Sequence, residues 1–236
     1  KKKTENKVVT IDDPEDKRLE ADLAFYPPVP QLEKLNWNGF GGELYVGWEY
    51  VILRKEFLKK YPKPKNTTPN ILVSMGGTDE KNMTEFVINS MKQINEKFKA
   101  TIIVGSGYPY ILQLKKRLEK VHFEFELLQN PKDIAKIMSQ SDFSIISFGQ
   151  TAYELAALKV PTIFLCLSHD HNESSKLFIN EGIGVSMGEY SKLSKQKFIK
   201  SVQFHLKEQN KVKEMSNLAG LLTISDLNKI SLLILG

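Results

Sequence analysis

The sequence contains a single cysteine, Cys166, so no disulfide can close within the chain. Cys166 lies in an apolar run read as a strand, and a reducing, cytoplasmic setting is the expectation. Long hydrophobic runs are missing too. None approaches the roughly 18 residues of a membrane span, and the apolar tail Ile230 to Leu235 reads as part of a last helix. No apolar stretch follows Lys1-Lys2-Lys3, so no secretory signal is expected, and with no long apolar run no membrane span is expected either. No strand is followed by Gly-x-Gly-x-x-Gly with an acid about 20 residues on, which argues against a classical NAD fold. Metal-ligand spacing is also lacking. Cys166, His169 and His171 come nearest to it, and neither a metal nor a cofactor is expected. Charge of one sign is not concentrated: 33 basic against 28 acidic residues leave a net +5. The basic residues sit in a solvated N-terminal run or on helix faces, as in Lys115-Lys116-Arg117 and Lys195-Gln196-Lys197. No aromatics interleave them, so nucleic acid is not an expected partner.

What is present is a strand–helix alternation beginning at Asn70. Apolar runs predict strands at Ile71–Met75, Thr101–Val104, Phe123–Leu128, Phe143–Ile146 and Thr162–Leu167. Between them lie helical patterns. Met83, Phe86, Val87, Met91, Ile94 and Phe98 repeat at helical spacing. Asn130-Pro131 reads as an N-cap with proline at the first helical position. Asn180-Glu181-Gly182 reads as a helix ending on a left-handed glycine. The pattern predicts an α/β fold, a doubly wound parallel sheet with right-handed crossovers. Residues 1–65 read differently: strands at Lys7–Asp13 and Asp22–Phe25, then Pro27, Pro28 and Pro30, a glycine-rich aromatic stretch Trp37–Gly42, and linker composition at Tyr61–Asn66. The expected organisation is a remnant of an N-terminal α/β domain with linker over 1–65 and an α/β domain over 66–236. The chain starts with lysine rather than methionine, which fits a processed form or part of something longer.

Two glycine-bearing turns each follow an apolar strand and open a helix: Ser74-Met75-Gly76-Gly77-Thr78-Asp79 and Ser147-Phe148-Gly149-Gln150-Thr151. Such a turn leaves unpaired N–H groups at a helix start, where the dipole favours an anion. In doubly wound sheets ligands sit at the carboxyl ends of strands, where both turns fall. The pair predicts one diphosphate cradled from two sides. Gly76 and Gly77 would let backbone approach phosphate, and Thr78 could add a hydroxyl; a plain turn with Thr78 or Asp79 as N-cap is the alternative. Ser147, Gly149, Gln150 and Thr151 could hold the other phosphate. Thr151 and Glu154 also fit a Thr-x-x-Glu capping box.

Gly47 to Phe57, reading GWEYVILRKEF, resembles the interdomain segment of pseudaminic-acid pathway UDP-sugar hydrolases and the related spore-coat polysaccharide biosynthesis proteins. ILVSMGGTDEKNMT at 71–84 resembles their first phosphate loop. SFGQTAYELAALKVP at 147–161 resembles the nucleotide-sugar motif they share with MurG-type glycosyltransferases. The likeness runs from about Val8 to Gly188. It implies a GT-B-like C-terminal, Rossmann-like domain that binds a UDP-sugar, with Glu154 accepting ribose hydroxyls. It also implies that Asn172 and Glu173, in a loop at His169–Glu173, lie near phosphates and sugar. Tyr108, after Gly105-Ser106-Gly107, could stack on uracil or belong to a connecting turn. The family's glycine-rich loop with its histidine has no counterpart here, so no catalytic residue is assigned.

Three functions follow from this reading. The first is a UDP-sugar hydrolase of nonulosonic acid or surface polysaccharide synthesis. The second is a MurG-like glycosyltransferase. The third is a non-catalytic nucleotide-sugar module that needs a missing N-terminal domain or a partner chain.

Overall fold

The computed structural model describes residues 7–64, 67–224 and 228–235. The run Lys1–Lys3 and the expected domain boundary at 65–66 lie outside the described residues.

A first, small parallel sheet is formed by β1 (Val9–Ile11), β2 (Leu23–Tyr26) and β3 (Glu43–Val46), in that order. β3 was not predicted: its alternation of Glu43, Leu44, Tyr45 and Val46 is short and mostly exposed. A second sheet carries six parallel strands: β4 (Asn70–Ser74), β5 (Lys99–Val104), β6 (Glu124–Gln129), β7 (Phe143–Ser147), β8 (Thr162–Cys166) and β9 (Gly184–Glu189). Their order is β6-β5-β4-β7-β8-β9. The sequence therefore runs outward from β4 in one direction and, after β7, outward in the other. β4, β7 and β8 are buried throughout, as continuous apolar runs require when helices cover both faces. β9 escaped the sequence reading because Gly184, Ser186 and Gly188 dilute its apolar pattern.

The helices are α1 (Met83–Met91), α2 (Ile111–Leu118), α3 (Ile134–Ser139), α4 (Gln150–Ala157), α5 (His169–Asn180), α6 (Lys195–Lys207), α7 (Gln209–Ala219) and α8 (Asn228–Leu235). Two clusters of buried side chains fill the two faces of the large sheet. One joins β4 and β5 to α1, α2 and α6. The other joins α4, α5 and β8 to Trp48, Val51, Leu53 and Phe57 of the segment following β3. α8 leaves the large sheet altogether: its Ile230, Leu233 and Ile234 pack with Leu23, Phe25 and Tyr50 against the small sheet. By contact, the C-terminal helix thus belongs with the N-terminal segment.

Candidate functional site

β4 and β7 are hydrogen-bonded neighbours, with Ser74 opposite Ile146. Strand order reverses between them, so this is the topological switch point where a crevice opens. Both glycine turns leave the sheet here, side by side. A methyl group on Gly76 would lie 3.8 Å from the Ser147 hydroxyl. A cavity of about 280 Å3 opens between the turns, lined by Ser74, Gly76, Gly77, Gln150, Thr151 and Glu154, with Arg54, Gly105 and Asn130 completing the wall.

The turns are built in different ways. Gly76 has φ +84°, the left-handed region where a side chain is strained. Asp79, also left-handed at φ 44°, turns its buried carboxylate inward to accept the N–H groups of Met83 and Thr84 at 2.8 Å each. Asp79 therefore caps α1, which leaves Thr78 exposed on the rim. Gly77 and Gly149 have open space where a Cβ would stand, so nothing in the protein itself requires glycine for room at either position. Gly105 is different: a Cβ there would come within 2.1 Å of the Gly77 carbonyl oxygen. The bare backbone at 105 is what lets the β5 end support the first turn, a role the sequence reading did not assign to it.

α4 starts at Gln150 with Gly149 as N-cap, so Thr151 and Glu154 do not form a capping box. Glu154 lies in the second turn, too far along to cap. Its side chain is 10% exposed, with one oxygen 3.3 Å from the Arg54 guanidinium. Burial raises its carboxyl above the usual range and Arg54 opposes that shift. Arg54 also stands 3.0 Å from a Glu56 oxygen, close enough for ionic attraction although not aligned as a hydrogen bond. Gln150 donates to the Ile52 carbonyl at 2.9 Å, tying the helix start to the same segment. Sequence reasoning missed Arg54; its position in the GWEYVILRKEF stretch was the available signal. Asn130-Pro131 does not start a helix, since α3 begins at Ile134; both residues line the cavity.

Other sequence candidates fall elsewhere. Tyr108 is 3% exposed, its ring in the core against Tyr110 and its hydroxyl donating to Asn82 at 2.7 Å, so its faces are closed to a base. His169–Glu173 is not a loop but the first turn of α5, capped by Ser168, whose hydroxyl accepts the His171 N–H. Asn172 accepts from the Ser186 hydroxyl at 3.1 Å, and Glu173 pairs with Lys176 at 2.6 Å. That turn packs on the second glycine turn through the His171–Phe148 ring contact, at 5.8 Å between centroids, and none of its residues lines the cavity. Cys166 is buried, and burial raises its thiol pKa. Among the described residues no cluster of His, Cys, Asp or Glu is arranged to hold a metal.

A large part of the molecule superposes on known glycosyltransferases. MurG of Acinetobacter baumannii matches with a TM-score of 0.68 at 19% identity, over 91% of this chain and 60% of that one. The fold is GT-B-like. The glycosyltransferase VinC, solved with dTDP, matches this GT-B-like chain at TM-score 0.56 and 11% identity, over 90% of this chain and 51% of that one. In sequence the chain is similar to the spore coat polysaccharide biosynthesis protein SpsG of Bacillus subtilis, at 28% identity over 61% of this chain and 44% of SpsG. It is also similar to the UDP-2,4-diacetamido-2,4,6-trideoxy-beta-L-altropyranose hydrolase of Campylobacter jejuni, at 25% identity over 62% of this chain and 52% of the hydrolase. The matched stretches thus span about half the length of these relatives. No protein-family model matches the sequence.

Proposed function

We propose that the cavity between the β4 and β7 turns binds the nucleoside diphosphate of a UDP-sugar, and that the chain serves UDP-sugar hydrolysis in the synthesis of pseudaminic or related nonulosonic acids for surface polysaccharides. The observation that carries this is the adjacency of the two turns at the switch point, with a mostly buried carboxylate, Glu154, on the wall of the cavity they share. The start of α4 presents backbone donors and the positive end of a dipole to a phosphate. Ser147, Gly149, Gln150 and Thr151 serve there, facing Gly76, Gly77 and Thr78 across the crevice. Glu154 accepts both hydroxyls of a vicinal diol, and Arg54 leaves Glu154 for the ligand. When the bond from sugar to diphosphate breaks, negative charge gathers on the departing UDP, and fixed amides stabilise it without reorganising. Asn172 and Glu173, on the α5 turn that packs beside the second glycine turn, serve the sugar side in this reading. The hydrolase activity named for the Campylobacter relative and the dTDP in the VinC structure support this reading.

A transferase uses the same site with an acceptor hydroxyl in place of water, and the breadth of the MurG superposition favours it as the second reading. Titration calorimetry with UDP, UDP-N-acetylhexosamine and NAD tests the ligand class. Micromolar-to-millimolar binding of UDP is expected, weakened about tenfold or more by Glu154→Ala through lost charge-assisted hydrogen bonds. Unchanged binding by that variant removes Glu154 from the site. Release of UDP from a UDP-sugar, in water alone or with an acceptor, separates hydrolase from transferase.

A further inference from the structure

A second cavity, of about 440 Å3, opens at the opposite end of α4. Lys59, Lys60, Lys63 and Lys159 line it over an apolar floor that includes Leu58 and Leu158. A neighbouring cavity of about 360 Å3 shares Leu58 and Lys159 and continues to Leu222 and Ile224. None of the four lysines has a carboxylate within 4.0 Å among the described residues. Asp142 is the acid that acts on Lys63 from further off. Lys63 is exposed overall, yet protein packed around it holds its ammonium below the ordinary lysine value. Asp142 opposes that shift and the Lys159 charge adds to it.

Lys159 itself is out of place on backbone grounds. It follows the C-cap Leu158 and stands at φ 60°, the left-handed position that helix ends commonly give to glycine. Its carbonyl accepts the Ser216 hydroxyl at 2.7 Å and the Lys63 ammonium at 3.4 Å, and its side chain runs alongside Gly220. A strained backbone is therefore kept at a residue whose ammonium is brought to the mouth of both cavities. Lysine at a helix C-terminus also complements the dipole. That role needs neither the left-handed conformation nor three further lysines around one apolar basin.

We propose that this basin is a binding site for an amphiphilic anion, a phosphate or carboxylate head on an aliphatic tail, separate from the nucleotide cavity. The head meets the lysine ammonium groups, and the tail follows Leu58 toward Leu222 and Ile224. α4 and the segment from Arg54 to Lys63 reach both cavities, so an occupant here abuts the elements that carry Arg54 and Glu154.

Octyl phosphate below its micellar concentration is the probe, titrated into the full chain beside inorganic phosphate and UDP. Saturable one-to-one binding of octyl phosphate is expected, at least tenfold tighter than inorganic phosphate and not displaced by UDP. Lys159→Gly is expected to weaken it tenfold or more while melting at the same or a higher temperature, because glycine relieves the left-handed position. UDP affinity should be unchanged. Lys63→Gln is the second variant, with the same direction on octyl phosphate. The proposal is overturned if octyl phosphate fails to bind, if UDP displaces it, if inorganic phosphate binds as tightly, or if both variants bind octyl phosphate as the parent does.

Discussion

At the scale of single residues, Glu154 ties stability to binding. Its carboxyl is raised above the ordinary value by burial, against the pull of Arg54. A carboxyl raised on folding gives stability that is fully present below its unfolded value and is lost as pH rises through the folded value. Glu154→Gln should therefore raise the melting temperature near pH 7 and leave it unchanged at about pH 3, below the carboxylate range. UDP affinity should move the other way. As pH falls through the raised value, the parent loses a diol acceptor, so its affinity falls more steeply than that of Glu154→Gln. Calorimetry on both proteins across that range, with the titration of UDP itself common to both, checks this. By spacing, the sequence offered Glu154 as half of a capping box with Thr151, which the Gly149 N-cap rules out; its ligand role came only from the family resemblance. For Arg54 the only signal was its place in the GWEYVILRKEF stretch, because the pairing spans 100 residues and depends on how the 51–58 segment lies on α4. Tyr108 shows the converse: an aromatic beside a glycine turn looks available until Asn82 and the core claim its hydroxyl and ring.

At the scale of elements, β4, β5, β7 and β8 were legible because burial on both faces leaves near-continuous apolar runs, while the mostly exposed edge strand β6 was read from its shorter apolar stretch. β3 and β9, half-exposed and diluted by polar or glycine residues, were not. Helix starts were less legible. Asn130-Pro131 has the composition of an N-cap, yet Asn130 takes a left-handed φ of 49° and the helix begins four residues later. His169–Glu173 looked like a polar loop, although Ser168 caps it as the first turn of α5. The glycines separate by cause, and that separation is testable. Gly105→Ala drives a methyl into the Gly77 carbonyl. It should destabilise the protein by about 1–3 kcal/mol, as overpacking does, and weaken UDP binding by displacing the first turn. Gly149 is extended at φ 164° with open space beside it. Gly149→Ala should thus cost only the loss of a glycine N-cap, about 0.5–1 kcal/mol, while losing UDP affinity, since the methyl fills ligand space. Denaturant melts paired with UDP titrations distinguish the two.

At the scale of the whole molecule, the chain closes on itself. The segment after β3 enters the core of the large sheet through Trp48, Val51, Leu53 and Phe57, and α8 returns to seal the small sheet. Sequence composition separated residues 1–65 from the rest but gave no sign that the last helix joins them, because an apolar stripe does not name the surface it covers. Ile230 is 4% exposed at that junction. Ile230→Ala should cost about 2 kcal/mol or more for the cavity left behind. Hydrogen exchange should quicken in β2 while β4 and β7 keep their protection, as expected for a local unit.

The central claim is that one diphosphate is held by two turns on neighbouring strands. Amide chemical-shift mapping with UDP tests it most directly. Saturable shifts are expected together at Gly76, Gly77, Gly149 and Gln150, fitting one dissociation constant, with Lys159 and Gly220 still. Shifts confined to one turn, or a different dissociation constant for each, would contradict it.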